Sequence, residues 1–167
     1  MTTRDIEAVR RPPRILMRTF WTLHRAAYRA TGGRFGLSRP EAGHKFGMLR
    51  LSTVGRRSGQ PRMTMIGYYP DGENLVTLAM NGWADAEPAW WLNLRAQPQT
   101  TVVLPDGPRA VWGRAAIGAE RERLWARFRD FPGWGEDIDG LAARRSIETA
   151  VVVLEPRQPV HVEGAAS

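Results

Sequence analysis

Two Pro-Asp-Gly tripeptides, at residues 70–72 and 105–107, constrain the fold of this chain more than any other sequence feature. Proline, aspartate and glycine favour the backbone angles of tight turns, and a tight turn between two β-forming runs predicts an antiparallel hairpin. The flanking runs, two for each turn, are Arg62–Tyr69, Asn74–Met80, Thr100–Leu104 and Arg109–Ile117. The chain therefore contains at least two predicted hairpins.

Two further apolar runs extend these hairpins towards a closed sheet. Gly47–Val54 alternates between apolar and polar residues, and Ile147–Leu154 is rich in valine. Helical patterns begin at Pro88, ending near Arg95, and cover 119–131, where Leu, Phe and Phe recur on one face. We predict a mainly β, α+β fold: a small antiparallel barrel of about six strands with an N-terminal helix and two further helices.

The chain of 167 residues fits one domain with flanking segments. Residues 1–45 are predicted to form a basic arm and an amphipathic helix, 46–157 the barrel, and 158–167 a C-terminal tail. Within the first segment, residues 14–29 carry arginines on one helical face and apolar side chains on the other. This helix could lie on anionic lipid with its arginines at the headgroups, or its apolar face could pack on the barrel or on a dimer partner.

Several functional classes are excluded by what the chain lacks. Without cysteine there is no disulfide, thiol nucleophile or iron–sulfur cluster, and the three histidines are too far apart in sequence for a metal motif. No apolar run approaches the ~18 residues of a membrane span, and the N-terminus lacks the apolar region of a secretion signal. We expect a cytoplasmic protein without a metal, with peripheral contact to the inner membrane face through residues 14–29 as one possibility.

The positive charge of the chain is concentrated in its first third. The net charge is +7, but residues 1–62 hold 14 basic and three acidic residues, whereas the remainder holds 10 basic and 14 acidic residues. The acidic remainder and the absence of a nucleic-acid fold signature argue against nucleic acid as the partner.

Residues 55–62, Gly-Arg-Arg-Ser-Gly-Gln-Pro-Arg, form the clearest candidate for a binding site. Two glycines permit a tight backbone, while arginine side chains, a serine hydroxyl and backbone N–H groups suit phosphate or carboxylate. A solvent-exposed basic hairpin without a ligand explains the same residues equally well.

Aromatic segments form two further candidates. Met80-Asn-Gly-Trp83 would bring backbone close to a flat ligand, and Pro88-Ala-Trp-Trp-Leu-Asn-Leu-Arg95 follows it. Phe131-Pro-Gly-Trp134 could act as a lid over a pocket or could end a packed helix. Tryptophans in these segments fit either the core or a pocket wall.

Taken in order, these motifs and the closing Val151–Pro156 resemble the deazaflavin-dependent nitroreductase family, over roughly residues 46–156. The resemblance implies a split β-barrel, coenzyme F420 as cofactor, and hydride transfer to quinones, nitro compounds or other activated double bonds. One departure is that Met80-Asn-Gly-Trp83 stands where characterised nitroreductases have Ser-Lys-Gly-Gly. No catalytic proton donor is assigned.

The candidate site residues are those at positions that match the motifs of this family, together with residues of the cationic segment 55–62. The cofactor-binding set implied by the resemblance and by the loop chemistry is Arg56, Arg57, Ser58, Arg62, Thr64, Met80, Asn81, Gly82, Trp90, Asn93 and Arg95. The set expected to wall an apolar substrate pocket is Trp83, Phe131 and Trp134. The main function prediction is an F420H2-dependent reductase, acting as a monomer or homodimer on an apolar small molecule. The alternatives are an FMN-dependent oxidoreductase and a cofactor-poor membrane-surface or small-ligand binding module on the same barrel.

Overall fold

Both Pro-Asp-Gly segments form the predicted hairpins, but they do so in different registers. The structure, a computed structural model, describes residues 36–157. In the first hairpin Asp71 pairs with Asn74, so the turn begins at Gly72, whose φ of 61° suits glycine. In the second hairpin Leu104 pairs with Gly107, so proline and aspartate themselves form the turn.

Six strands close into an antiparallel barrel, which confirms the predicted fold. The strands are β1 (Gly47–Val54), β2 (Pro61–Asp71), β3 (Asn74–Leu78), β4 (Gln99–Leu104), β5 (Gly107–Ala115) and β6 (Val151–Pro156). Their order around the barrel is β1-β2-β3-β6-β5-β4, and β4 pairs with β1 to close it. The final strand closes the sheet as predicted, although it begins at Val151 rather than at Ile147.

Three helices lie among the described residues. They are α1 (Ala89–Ala96), α2 (Gly118–Arg127), which continues into a 3-10 turn (Phe128–Asp130), and α3 (Ile138–Ala143). The first two were predicted, and α3 was not. The predicted N-terminal helix at residues 14–29 and the tail at 158–167 lie outside the described residues.

The barrel wall separates two apolar clusters, and β6 contributes to both. Val152 and Leu154 belong to the cluster inside the barrel, whereas Val151 and Val153 belong to a cluster under α2 and α3. A strand buried on both faces reads as a continuous apolar run, which explains the valines of β6.

Helix α1 joins the inner cluster through Trp91 and Leu94. It approaches the barrel closely because β5 has a glycine beneath it: a Cβ at Gly113 would lie 2.4 Å from Leu94 Cδ2. This contact fixes the helix that borders the candidate site.

Within residues 36–157 no helix is long and apolar enough to cross a membrane.

Candidate functional site

A cavity of about 660 Å³ lies between the loop that joins β1 to β2 and helix α1. Its lining combines side chains of the loop, of the start of β2 and of α1. The lining residues are Thr53, Gly55, Arg56, Arg57, Ser58, Arg62, Met63, Thr64, Asn81, Pro88, Ala89, Trp90 and Asn93. A volume of this size is typical of small-molecule and cofactor sites.

The cationic loop, residues 55–62, folds on itself through short-range hydrogen bonds. The Gly55 carbonyl accepts from the backbone nitrogens of Ser58 (3.2 Å) and Gly59 (2.7 Å), and the Gly55 nitrogen donates to Gln60 (2.9 Å). The Ser58 hydroxyl accepts from the Gln60 nitrogen at 3.3 Å. Gly59 has a φ of 66°, in the left-handed region that glycine adopts without strain. The loop thus presents its arginines from a defined backbone.

Asn93 connects this loop to α1. Its Oδ1 accepts from the backbone nitrogen of Arg56 at 3.1 Å and from that residue's Nη1 at 3.4 Å. Its Nδ2 donates to the hydroxyl of Thr53 at 3.4 Å. Asn93 is buried, and its side-chain hydrogen bonds go to the protein itself, so its evident role is to position the loop.

The charge at this cavity is uncompensated. Arg56, Arg57 and Arg62 line it, and no carboxylate does. Within residues 36–157 none of these three arginines forms an ion pair, whereas other arginines, such as Arg114 with Glu120 and Arg123 with Asp71, do. Three guanidinium groups facing one cavity favour a ligand with phosphate or carboxylate groups.

A second cavity, of about 230 Å³, adjoins the first and shares four lining residues with it: Thr64, Asn81, Pro88 and Trp90. Its other walls come from β2, β3, the residues that follow β3, and the loop before α3. They are Met65, Ile66, Gly67, Thr77, Leu78, Met80, Gly82 and Trp134. No charged side chain lines this inner cavity. The site is therefore cationic at one end and uncharged at the other.

The 81–84 turn, Asn81 to Ala84, forms part of the wall between the cavities. The Ala84 nitrogen donates to the Asn81 carbonyl at 3.1 Å. Gly82 has a φ of 57°, and Trp83 has a φ of 62°, a conformation that is strained for any residue with a bulky side chain. Strain of this kind persists where the surrounding contacts enforce it, and it occurs often at functional sites.

Most of the predicted cofactor-binding residues meet at these two cavities. The larger one brings together Arg56, Arg57, Ser58, Arg62, Thr64, Asn81, Trp90 and Asn93, and the inner one adds Met80 and Gly82. Arg95 lines neither. Its Nη2 lies 2.9 Å from Glu87 Oε2, and its guanidinium carbon lies 5.7 Å from the centre of the Trp91 ring.

The predicted substrate-pocket residues do not line one cavity, although all three belong to or pack against the apolar cluster under α2 and α3. Trp134 lines the inner cavity, and its ring lies 4.7 Å from that of Phe46. Phe131 is buried in the outer cluster, stacked on Tyr69 at 5.2 Å, because it continues the apolar face of α2. Trp83 lines neither cavity. Its indole N–H donates a hydrogen bond to the Trp134 carbonyl at 3.0 Å. Trp83 therefore joins two loops at this site.

Sequence reasoning assigned no lining role to Thr53, Met63 or Pro88, although Thr53 borders one candidate segment and Pro88 begins another, and it missed Arg145 entirely. Thr53 and Met63 flank the cationic loop, so the hairpin itself could have indicated them. Arg145 contacts the segment between β3 and α1 from about 60 residues further along the chain, for which no local signal exists.

Among residues 36–157 no group of three or more His, Cys, Asp or Glu side chains could hold a metal ion.

Comparison with known protein families gives one match over most of the chain. A family model described as F420H(2)-dependent quinone reductase matches residues 20–156. The chain is 38% identical over 80 residues to the F420H(2)-dependent quinone reductase Rv1261c of Mycobacterium tuberculosis (strain H37Rv), covering 48% of this chain and 52% of that protein. The chain thus spans about half the length of the curated relatives it matches.

Two solved structures share the fold. One, described as an F420-H2 dependent reductase (FDR-A), superposes with a TM-score of 0.58 at 21% identity, over 71% of this chain and 96% of that one. Another, described as a domain-swapped dimer, gives a TM-score of 0.60 at 21% identity, over 83% of this chain and 99% of that one. At such identities the likeness is one of architecture.

Proposed function

The chain belongs to the F420H(2)-dependent quinone reductase family, and we propose that it is an F420H2-dependent reductase of an uncharged acceptor. The acceptor class is a quinone, a nitro compound or another activated double bond. The observation that carries this proposal is the pair of adjoining cavities, one lined by three arginines without a carboxylate and the other lined by no charged side chain.

The donors at the larger cavity fit the anionic end of this cofactor. Arg57, Arg62 and the Ser58 hydroxyl would bind its phosphate and polyglutamate groups, since guanidinium groups form paired, charge-assisted hydrogen bonds to such oxygens. Arg56 would add its charge while Asn93 holds its backbone in place. When bound, the reduced deazaflavin supplies the hydride.

The residues of the inner cavity would orient the acceptor and exclude water from it. Trp90 and Trp134 offer flat apolar surfaces, Asn81 lines both cavities, and Gly82 lines the inner one. Thr64 and Thr77 are the hydroxyl-bearing side chains of this lining, and neither is an acid at neutral pH. We therefore assign the acceptor's proton to solvent.

Titration of the protein with oxidised F420 at low salt tests this proposal. We expect saturable binding with a Kd below ~100 µM, and a Kd at least about tenfold higher in Arg57→Gln and Arg62→Gln. The matched control is Arg144→Gln, which removes an exposed arginine outside both cavities. Absence of binding by the unaltered chain would refute the cofactor assignment, and tighter competitive binding of FMN would favour the flavin alternative.

We also propose peripheral membrane contact through residues 14–29, on the basis of their amphipathic pattern. Such contact would bring the site near lipid-soluble acceptors. Flotation with anionic liposomes, comparing the full chain with a variant lacking residues 1–31, tests this. Equal binding of the two proteins would exclude the segment as an anchor.

A further inference from the structure

Arg145 is a buried arginine whose hydrogen bonds converge on the segment that carries the 81–84 turn. It is 7% exposed. Its Nε donates to the Ala84 carbonyl at 2.9 Å, its Nη2 to Ala86 at 3.4 Å, and its Nη1 to Ala79 at 3.4 Å. The fourth bond, also from Nη1, goes to the Thr149 hydroxyl at 2.5 Å.

These bonds reach both sides of the turn. Ala79 precedes it, Ala84 ends it, and Ala86 follows it. A guanidinium group is planar and has five N–H donors, so one side chain can hold three carbonyl groups in a fixed arrangement. The segment before α1 is therefore fixed at several points by a single residue.

The charge of Arg145 is not matched by an ion pair. Within residues 36–157 no carboxylate lies in salt-bridge contact with it, and carbonyl oxygens and a hydroxyl accept its hydrogen bonds. Burying a charged group is unfavourable unless its hydrogen-bonding capacity is met, so the carbonyl groups and the guanidinium depend on one another. Asp85, which is exposed, adds a nearby negative charge.

Asp85 makes a second connection between the same two segments. Its Oδ1 accepts from the Ser146 nitrogen at 2.7 Å, and this hydrogen bond lowers the pKa of the Asp85 carboxyl. The residue after Arg145 is thus also tied to the segment before α1.

The turn needs such support because of its own backbone. Two successive residues, Gly82 and Trp83, have left-handed φ angles, and the second is a tryptophan. Such a conformation is unfavourable for a residue with a Cβ and is maintained by surrounding contacts. The Trp83 indole bond to the Trp134 carbonyl supplies one contact, and the bonds of Arg145 fix the backbone on either side.

We propose that Arg145 is a positioning residue of the site: it holds the 81–84 turn so that Asn81 lines both cavities and Gly82 lines the inner one. This inference rests on the proposed function. Its consequence is specific, because the turn contributes both Asn81 and Gly82 to the uncharged inner cavity but only Asn81 to the larger cavity, where the arginines of the cationic loop supply the charge. Disturbing Arg145 should impair acceptor reduction much more than cofactor binding.

The test compares Arg145→Lys with Arg144→Lys in the full chain. Lysine keeps the positive charge but offers its three N–H donors from a single nitrogen on a shorter side chain, so it cannot reproduce the arrangement in which Nε, Nη1 and Nη2 each meet a different carbonyl group. The substitution therefore removes geometry rather than charge. Arg144 is the neighbouring exposed residue and receives the same chemical change. Asp85→Ala is a milder variant at an exposed site, and it removes the hydrogen bond from the Ser146 nitrogen to Asp85. It is the variant to be measured if Arg145→Lys does not fold.

Two readouts are measured for each variant. Hydrogen exchange of the cofactor-free protein should show faster exchange of the amides of residues 79–87 in Arg145→Lys and in Asp85→Ala, with residues 55–60 unchanged and with Arg144→Lys like the parent. With F420H2 and a soluble quinone, Arg145→Lys should lower kcat roughly tenfold or more, with the Kd for F420 within about twofold.

The outcomes separate the two claims. Unchanged exchange over residues 79–87 in a folded Arg145→Lys protein would overturn the role of Arg145, and if that protein does not fold, unchanged exchange in Asp85→Ala would overturn the claim that this connection holds the turn. A parent protein that neither binds nor oxidises F420H2 would overturn the proposed function, while the exchange result would still decide whether Arg145 holds the turn. A parent-like kcat in Arg145→Lys, with an active parent, would overturn the catalytic consequence.

Discussion

The side-chain oxygen of Asn93 lies 3.1 Å from the backbone nitrogen of Arg56, so a buried residue of α1 holds the first arginine of the cationic loop. The same side chain reaches Thr53 at the end of β1. Helix, strand and loop thus meet at one amide group. The larger cavity is bounded by these three elements, and its shape depends on this contact.

Asn93→Ala should weaken cofactor binding without removing any charge. The substitution leaves the Arg56 N–H without its acceptor and loosens the loop, and an interaction of this kind contributes about 1 kcal/mol, or roughly fivefold in Kd. Fluorescence titration with F420 measures the effect, with the exposed Gln97→Ala at the end of the same helix as control. An unchanged Kd would show that Asn93 does not organise the loop.

Binding at the larger cavity should depend on ionic strength. Raising salt screens the attraction between the arginines and an anionic ligand, so the Kd of the unaltered chain should rise between low and about physiological ionic strength. In Arg57→Gln the rise should be smaller, because one of the interacting charges is gone. If both proteins showed the same dependence on salt, Arg57 would not contact the anionic end of the ligand.

Gly113→Ala should displace helix α1. The added Cβ would lie 2.4 Å from Leu94 Cδ2. Because the structure must shift to accommodate it, the substitution should lower the free energy of unfolding by about 1–3 kcal/mol. Because α1 carries Trp90 and Asn93, F420 binding should weaken together with stability. Chemical denaturation measures stability, and Ala110→Val, on an exposed position of the same strand, is the control. A Gly113→Ala protein of parental stability would contradict this packing.

The stability of the barrel should fall in acid partly through Asp71. The Arg123 guanidinium donates two hydrogen bonds of 2.9 Å to this carboxylate, Arg127 donates a third, and the Arg123 hydrogen bond is the largest cause of the lowered pKa of Asp71. A carboxyl whose pKa is lower in the folded state stabilises that state above its unfolded pKa of about 3.9, and the contribution disappears as the pH falls through the folded pKa.

Asp71→Asn should therefore lower the unfolding free energy by about 2 kcal/mol at pH 7, and the difference from the parent should shrink towards pH 2. Urea denaturation at the two pH values measures this. Glu73→Gln, at an exposed position of the same hairpin, should change little at either pH. A deficit in Asp71→Asn that is equally large at both pH values would mean that ionisation of Asp71 is not its source.

The parts of this molecule that local sequence determines were predictable. The two hairpins, β1 and α1 follow from turn residues and from alternation within a few positions. The cationic loop was also predictable, because its glycines, arginines and serine lie within eight consecutive residues. Helix α3 was missed because it is six residues long and contains Gly140, which is too little for a periodic pattern to show.

The parts that depend on distant partners were not predictable. Phe131 was predicted to line a pocket beside Trp134, and both side chains belong to the apolar cluster under α2 and α3, but only Trp134 also lines the inner cavity. Asn93 was predicted to contact a ligand and lines the larger cavity, but its hydrogen bond to a loop 37 residues away was not foreseen. Trp83 and Arg145 act through backbone carbonyl groups, which carry no signal in the sequence.

Transfer of hydride from F420H2 to a soluble quinone is the measurement that tests the account most directly. The purified chain, mixed anaerobically with F420H2 and excess quinone, should oxidise the cofactor catalytically, and Arg57→Gln should raise the KM for F420H2 while leaving kcat closer to that of the parent. A chain that binds F420 without oxidising F420H2 in the presence of quinones, nitro compounds or activated alkenes would contradict the reductase assignment.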